Sequence, residues 1–386
     1  MILTHLRPFV ASFIHRFFRR RALASARASS LAVRPRYSAR RWRLAALPLC
    51  GLLVLLASSA SWRARAAVPA AALPSHPALV WIDTDIGDDI DDAFAIALLL
   101  RSPQVRVVGI STAFGDTELR ARLLDHFLSA AHVNGIPVYA GLPTATTNLF
   151  TQRVYAEQFP QRSHPDAIAA LLAAVHQYGN QLTLLAIGPL FNVAAAIQRD
   201  PQTMHQLGRI VLMGGSIRHG YASTGGGLTP PAPEWNILQD PPGAKTVFRS
   251  GIPIDLYPLD STQVLLHSQE RARIFSAPTP FAIPLQTLYR EWLPHSWNHS
   301  SNPVLFDVVA AAAILDSGFC PTQPMPLLVT AQGMTLPLPS SAANPVATFS
   351  DEPKISVTPR IQACLRSNQQ EFLALLLQRL ATPTHP

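Results

Sequence analysis

From residue 78 onward, short apolar runs alternate with longer amphipathic ones. Residues 78–82 make an apolar run of strand length, whereas the run at 93–100 continues too long for a strand and predicts a helix. A second strand is predicted at 105–114, an amphipathic helix at 118–133 and a short strand at 136–140, closed by Gly141. Helix follows at 166–178, strand at 182–187, helix at 192–198 and strand at 210–213, the last running into Gly214-Gly215. Residues 216–240 are rich in Gly and Pro and read as a long loop, a feature that in a compact domain is usually functional or disordered. The pattern resumes with helix at 242–250 and strand at 252–256, then an aromatic stretch at 277–303 broken by prolines. A helix at 304–315, a strand-like piece at 326–330, a polar loop and a leucine-rich helix at 371–380 complete the chain. This alternation predicts an α/β fold, a single large domain with a mostly parallel central sheet flanked by helices.

The densest chemistry lies where the first strand hands over to the first helix. Asp83, Asp85, Asp88, Asp89, Asp91 and Asp92 fall within ten residues. In an open α/β sheet that carboxyl edge is where ligands bind. The helix macrodipole stabilises carboxylates in its first turn by roughly 0.3–1 kcal/mol each, which accounts for two or three of the six. The rest repel one another unless a proton or a cation intervenes, and hard oxygen ligands suit calcium or magnesium. The alternative is a solvated acidic turn. A second polar group, Glu234-Trp235-Asn236, sets a carboxylate, an aromatic face and an amide side by side in the long loop.

Charge changes the picture only once it is divided along the chain. The formal net charge of +8 suggests an anionic partner, yet residues 1–67 hold 13 Arg and no Asp or Glu, leaving 18 basic against 23 acidic residues in the body. A mildly acidic body gives nucleic-acid binding no support. Within the leader, Arg40, Arg41 and Arg43 precede an apolar run at 44–57, and small residues follow at Ser58, Ser59, Ala60, Ala64 and Ala66. That is the order of a secretory signal, with an uncleaved membrane anchor as the alternative. Residues 68–77, mostly Ala and Pro, read as a linker to a body spanning 78–386. Outside the leader, Cys320 and Cys364 form an even pair, able to bridge in an oxidising compartment or to remain as buried thiols.

Four pieces, in order, carry a resemblance: DTDIGDDIDDA at 83–93, AIGPLFN at 186–192, MGG at 213–215, and EWN at 234–236 followed by a helix bearing Asp307. Over roughly residues 78–316 the chain resembles the calcium-dependent nucleoside hydrolases of the inosine-uridine preferring type. The family's acidic motif usually reads DxDPGxDD; here Ile86 replaces Pro and two residues are added. Aligned from the helix side, the resemblance makes Asp92 a bidentate calcium ligand and Asp91 a contact to a sugar hydroxyl; aligned from the strand side, Asp89 takes one of those roles. Asp85 resembles the residue that both ligates calcium and takes the proton from the attacking water. The remaining protein ligands correspond to the backbone carbonyl of Ile187 and the carboxylate of Asp307. Asp116, Glu234, Asn236 and Asp307 are the further contacts expected for substrate, while Asp83 is expected to hold the loop together. Where many members carry a histidine before the last aspartate, this chain has Phe306, as a stacking partner or as core. The departing base is then protonated from His295, His299 or solvent, or activated by stacking.

The resemblance thus implies hydrolysis of the ribonucleoside N-glycosidic bond to base and ribose, with Ca2+ as cofactor. It also implies a homo-oligomer, a dimer or a tetramer, and the leader implies export. Two other readings stay open. One is a haloacid-dehalogenase-like phosphatase, which also places DxD at a strand end but has Thr or Val where Gly87 stands; the other is a binding protein of the same fold without turnover.

Overall fold

In the computed structural model, the described residues are 76–146, 148–223, 226–338 and 360–383. The expected leader and nearly all of the linker lie outside them. No helix of the described residues is long and apolar enough to cross a membrane.

The central sheet contains β1 (Ala78–Thr84), β2 (Val105–Thr112), β3 (Val138–Ala140), β4 (Leu182–Ala186), β5 (Arg209–Met213) and β6 (Ile254–Tyr257). After β6 come β7 (Gln323–Pro324), a separate antiparallel hairpin of β8 (Leu327–Val329) and β9 (Thr335–Pro337), and β10 (Ile361–Ala363). Strand order in the large sheet is β3-β2-β1-β4-β5-β6-β10-β7, parallel throughout except for β7. The chain winds outward one way from β1 and the other way from β4, so their carboxyl ends flank the crevice where such sheets bind ligands.

Both faces of the sheet are covered, which explains why its central strands are apolar at consecutive positions rather than at alternate ones. Along β1, Val80 and Ile82 enter one core and Trp81 the other. The first core includes the helices Asp91–Leu100 and Phe306–Leu315, both almost wholly buried and apolar on all sides beyond their first turns. Such helices have no face to offer water and must pack in the interior. Their mutual packing brings two helix starts together at the carboxyl edge of the sheet.

Three expectations need correction. The strand-like piece at 326–330 is β8 of the β8–β9 hairpin, as a strand was expected there, but the expected polar loop after it contains β10, which extends the large sheet. The proline-broken stretch at 277–303 contains the helix Ala282–Trp292, which tolerates Pro284 because a residue in the first turn has no intrahelical donor to lose. The first helix begins at Asp91, two residues before its apolar run.

Cys320 and Cys364 form a disulfide closing a separation of 44 residues. It ties the segment leaving the Phe306–Leu315 helix to the end of β10, beside the hydrogen bond from Asn368 N to Phe319 O at 2.7 Å. Closing a loop of that size removes chain entropy from the unfolded state worth roughly 2–4 kcal/mol. Cys320→Ser is therefore expected to lower the unfolding free energy by about that amount in non-reducing urea titrations. A midpoint equal to that of the parent protein would show that the bridge contributes no stability.

Candidate active site

The six aspartates at the end of β1 and just beyond it differ in their surroundings. Asp83 Oδ1 accepts from Ser111 Oγ at 2.5 Å and from Asn192 Nδ2 at 2.8 Å, with Trp81 Nε1 donating to Ser111 Oγ behind them. Burial nevertheless raises its pKa to about 6. Thr84 Oγ1 accepts from Ile86 N at 3.1 Å and donates to Asp92 Oδ1, joining the end of the strand to the start of the helix. Asp88 pairs with Arg120 at 2.9 Å and accepts from Asn148 Nδ2 at 2.9 Å. Asp89 accepts from Ile90 N at 2.8 Å, and the nearby indoles of Trp297 and Trp292 partly offset the rise of its pKa to about 6 on burial.

Asp91 and Asp92 open the first helix, and Asp307 opens the helix packed against it. Asp307 N donates to Asp91 Oδ2 at 3.0 Å, and one carboxylate oxygen from each of Asp91, Asp92 and Asp307 lies within 4.8 Å of the others. Asp85 and Asp89 are outside that group. All three are buried and their pKa values are pushed far up, by desolvation first and then by neighbouring charge, that of Asp89 at Asp91, of Asp85 and Asp91 at Asp92, and of Asp91, Asp92 and Asp85 at Asp307. Asp85 stands beside them: its charge adds to the rise at Asp92 and Asp307, and its own pKa is lifted to about 7 by burial. The Arg120 guanidinium and the Trp235 indole pull it back. Gly188 must be glycine because a Cβ there would sit 2.8 Å from Asp85 N.

Arg120 went unremarked in the sequence although a signal was available. It lies on the apolar stripe of the helix Thr117–Ala130, in step with Leu123, Leu124 and Phe127, where a charge needs a buried partner. Its Nε donates to Phe114 O at 2.7 Å, and its Nη1 donates to Ile86 O at 2.9 Å and also to Asp85 O. With Asp88 on Nη2, the planar fork fixes the aspartate loop through its backbone.

The third wall comes from the loop after β5. Glu234 caps the short helix Trp235–Gln239, accepting from Asn236 N at 2.9 Å, Ile237 N at 3.2 Å and Gly215 N at 2.8 Å, and its pKa rises to about 7 on burial despite these bonds. Asn236 Nδ2 donates to Ile187 O at 3.3 Å and Met213 O at 3.2 Å, gathering the ends of β4 and β5 against Asp85. A carbonyl has two lone pairs, so the Ile187 oxygen keeps one for another ligand.

A family model described as inosine-uridine preferring nucleoside hydrolase matches residues 80–374. The chain belongs to that family. It is a hydrolase acting on the N-glycosidic bonds of nucleosides, and the phosphatase alternative is set aside. The chain is similar to a protein named probable uridine nucleosidase 2 from Arabidopsis thaliana, 28% identical over 78% of this chain and 96% of that one. It is also similar to the pyrimidine-specific ribonucleoside hydrolase RihB of Escherichia coli O1:K1 / APEC, 29% identical over 47% of this chain and 59% of the other. Among solved structures, a plant nucleoside hydrolase, the PpNRh1 enzyme, superposes with a TM-score of 0.68 at 24% identity, covering 80% of this chain and 100% of that one. A purine-preferring ribonucleoside hydrolase from Gardnerella vaginalis does so with 0.64 at 24% identity, covering 78% and 98%.

Not every expected contact of this nucleoside hydrolase joins the buried group. Asp116 is exposed and caps the Thr117–Ala130 helix, accepting from Leu119 N at 3.0 Å. It lines a cleft of about 370 Å³ with Asp88, Arg120, Thr144 and Asn148. His295 and His299 are exposed, and among the described residues neither bonds to the carboxylates. Phe306 is almost fully buried, packed edge-on against Tyr221 with centroids 6.1 Å apart and tilted against Trp297 at 6.5 Å.

Removing one partner of a buried ion pair commonly costs 3–5 kcal/mol, and here Asp88 is partly solvated. Arg120→Met is expected to destabilise the hydrolase by about 3 kcal/mol in chemical denaturation, since three carbonyls also lose their donor. Asp88→Asn, which keeps those three bonds, should cost well under half as much; equal costs would contradict the clamp.

Proposed function

We propose that this hydrolase cleaves ribonucleosides to free base and ribose, with Asp85 as the general base and a calcium ion as cofactor. The observation that carries this reading is the convergence of Asp91, Asp92 and Asp307 beside Asp85 at the carboxyl edge between β1 and β4. Four buried acids face one guanidinium that is already committed to Asp88 and three carbonyls. A divalent cation answers that imbalance. The donors are all hard oxygens, and those of Asp92 and Asp307, two of the four proposed ligands, lie within 4.8 Å of each other, inside the span of a calcium coordination sphere with Ca–O near 2.4 Å.

Asp92, Asp307, Asp85 and the Ile187 carbonyl would hold the ion. When bound, it would offset the carboxylate charge and draw a water and the ribose hydroxyls together. Asp85 then accepts the proton of the attacking water at a carboxylate oxygen. Asp91, anchored through the Asp307 N–H, takes a sugar hydroxyl, and Glu234 and Asn236 hold the other side of the ribose. The oxocarbenium-like sugar that forms as the base departs is positively charged, so a carboxylate-rich wall favours it.

The leader's order of basic, apolar and small residues supports export, cleaved or retained as an anchor, and the Cys320–Cys364 disulfide fits an oxidising compartment. The family resemblance supports a dimer or tetramer.

Asp85→Asn is expected to lower kcat for ribose release by about 10²–10⁴-fold, the range for a lost general base. Retention of near-parental turnover by that variant, or full activity after chelation, would refute the mechanism.

The raised pKa values also fix a pH dependence. An acid whose pKa moves from 3.8 unfolded to about 7 folded makes the folded state hold more protons in that window. The metal-free protein therefore loses stability as pH rises from about 4 to 7, and calcium, which replaces those protons, restores it. The calcium-induced rise in Tm should be large at pH 8 and should shrink towards pH 5. The same rise at both values would count against ligation by these carboxylates.

A further inference from the structure

The wall beside the carboxylates is aromatic, and its polar groups can be accounted for one by one. The Trp235 indole stands near Asp85, and the Trp297 and Trp292 indoles near Asp89, and each draws the pKa of its neighbouring carboxyl down. Phe306 has no proton to give. Tyr221, in the long loop after β5, does: its hydroxyl oxygen accepts from Trp235 N at 2.9 Å, and among the described residues no acceptor takes its proton. Its ring packs on Phe306 and lies 5.7 Å from Trp297 between centroids.

The loop holds this phenol firmly. Thr229 Oγ1 donates to Tyr221 O at 2.7 Å, and Gln263 spans the residue, donating to Gly220 O at 3.1 Å and accepting from Ala222 N. Burial, then the charges of Glu234, Asp89 and Asp307, keep the phenol protonated far beyond its usual range. Tyr221 is thus a fixed, neutral donor standing among the carboxylates that would grip the sugar and the rings that would stack on a base.

We infer that Tyr221 is a catalytic residue for the departing base, its hydroxyl donating a hydrogen bond to the purine or pyrimidine atom on which negative charge collects as the glycosidic bond breaks. This rests on the ribonucleoside hydrolase reading above. In that step the C1′–N bond breaks with its electron pair passing to the base, and a C1′–O bond forms from water. The water's proton goes to Asp85, the base takes its final proton from solvent, and Tyr221 keeps its own.

The test compares two leaving groups in one active site. Uridine and inosine release a base that needs a donor, whereas p-nitrophenyl β-D-ribofuranoside releases a nitrophenolate that leaves without one. Tyr221→Phe is expected to lower kcat about 100-fold on whichever nucleoside the parent enzyme cleaves faster, and less than about threefold on the nitrophenyl riboside. Tyr221→His, which can donate from its ring, should recover part of the nucleoside rate. Thermal melting confirms folding, and if the phenylalanine variant does not fold, Tyr221→Met against Tyr221→His gives the same comparison. Equal losses on both substrates, or no loss on either, would overturn the assignment of Tyr221 alone. A parent enzyme that cleaves neither substrate would overturn the hydrolase reading and this inference with it.

Discussion

The constraint on which the rest of the structure depends is buried negative charge at a point where two helices begin. Asp91, Asp92 and Asp307 each gain from the partial positive charge of a helix N-terminus, and the Asp307 N–H is given directly to Asp91. Those gains are of order 1 kcal/mol each, far short of the cost of desolvating several mutually repelling carboxylates. The fold meets the difference structurally by burying both helices on all sides. Neither helix can rotate its acids towards water without exposing Phe94, Ile96, Val308 or Val309. The charge is therefore held in place by hydrophobic packing, and the site carries a standing demand for protons or a cation.

Arg120 serves a different purpose from neutralisation. Three of its four recorded acceptor groups are backbone carbonyls, so most of its hydrogen bonding goes into the shape of the loop rather than into charge balance. Because a guanidinium is planar and keeps its charge, the carbonyls of Asp85 and Ile86 are fixed relative to the Thr117–Ala130 helix whatever the protonation state of the site. This separates two tasks that could have interfered: the loop backbone stays put while the carboxylates exchange protons for metal.

Much of this was legible in the chain because it rests on local periodicity. The apolar run at 78–82, the longer run at 93–100 and the acids between them placed the site at a strand end, and the resemblance to a known family, carried by the later motifs, brought in Ile187, Glu234, Asn236 and Asp307. The elements that escaped lacked such a signal. β10 has three residues, too few to show a period, and the helix Ala282–Trp292 was hidden by Pro284 in its first turn. Asp116 was expected at the substrate, yet an Asp immediately before an amphipathic helix is also an ordinary N-cap, and its exposure and its bond to Leu119 N fit that role. Tyr221 sits in an irregular loop, where its partners are set by tertiary packing that no sequence period reports.

The two residues added to the acidic motif show how such a loop can lengthen without disturbing what it serves. Asp91 and Asp92 are positioned by the start of their helix, and that start is positioned by packing against the helix of Asp307, so the grouping of these three carboxylates is fixed from the helix side. The added length lies upstream, where it is tied off separately. Asp88 goes to Arg120 and Asn148, the carbonyl of Asp88 accepts from Thr151 Oγ1 at 2.9 Å, and that of Asp89 accepts from Gln152 Nε2 at 2.8 Å. What the insertion does change is the rim. It places the Asp89 carboxylate near Trp292 and Trp297, whose indoles partly offset the cost of its burial. Phe306 offers no polar group on that side, and the hydroxyl of Tyr221 stands there with a proton that no acceptor among the described residues takes.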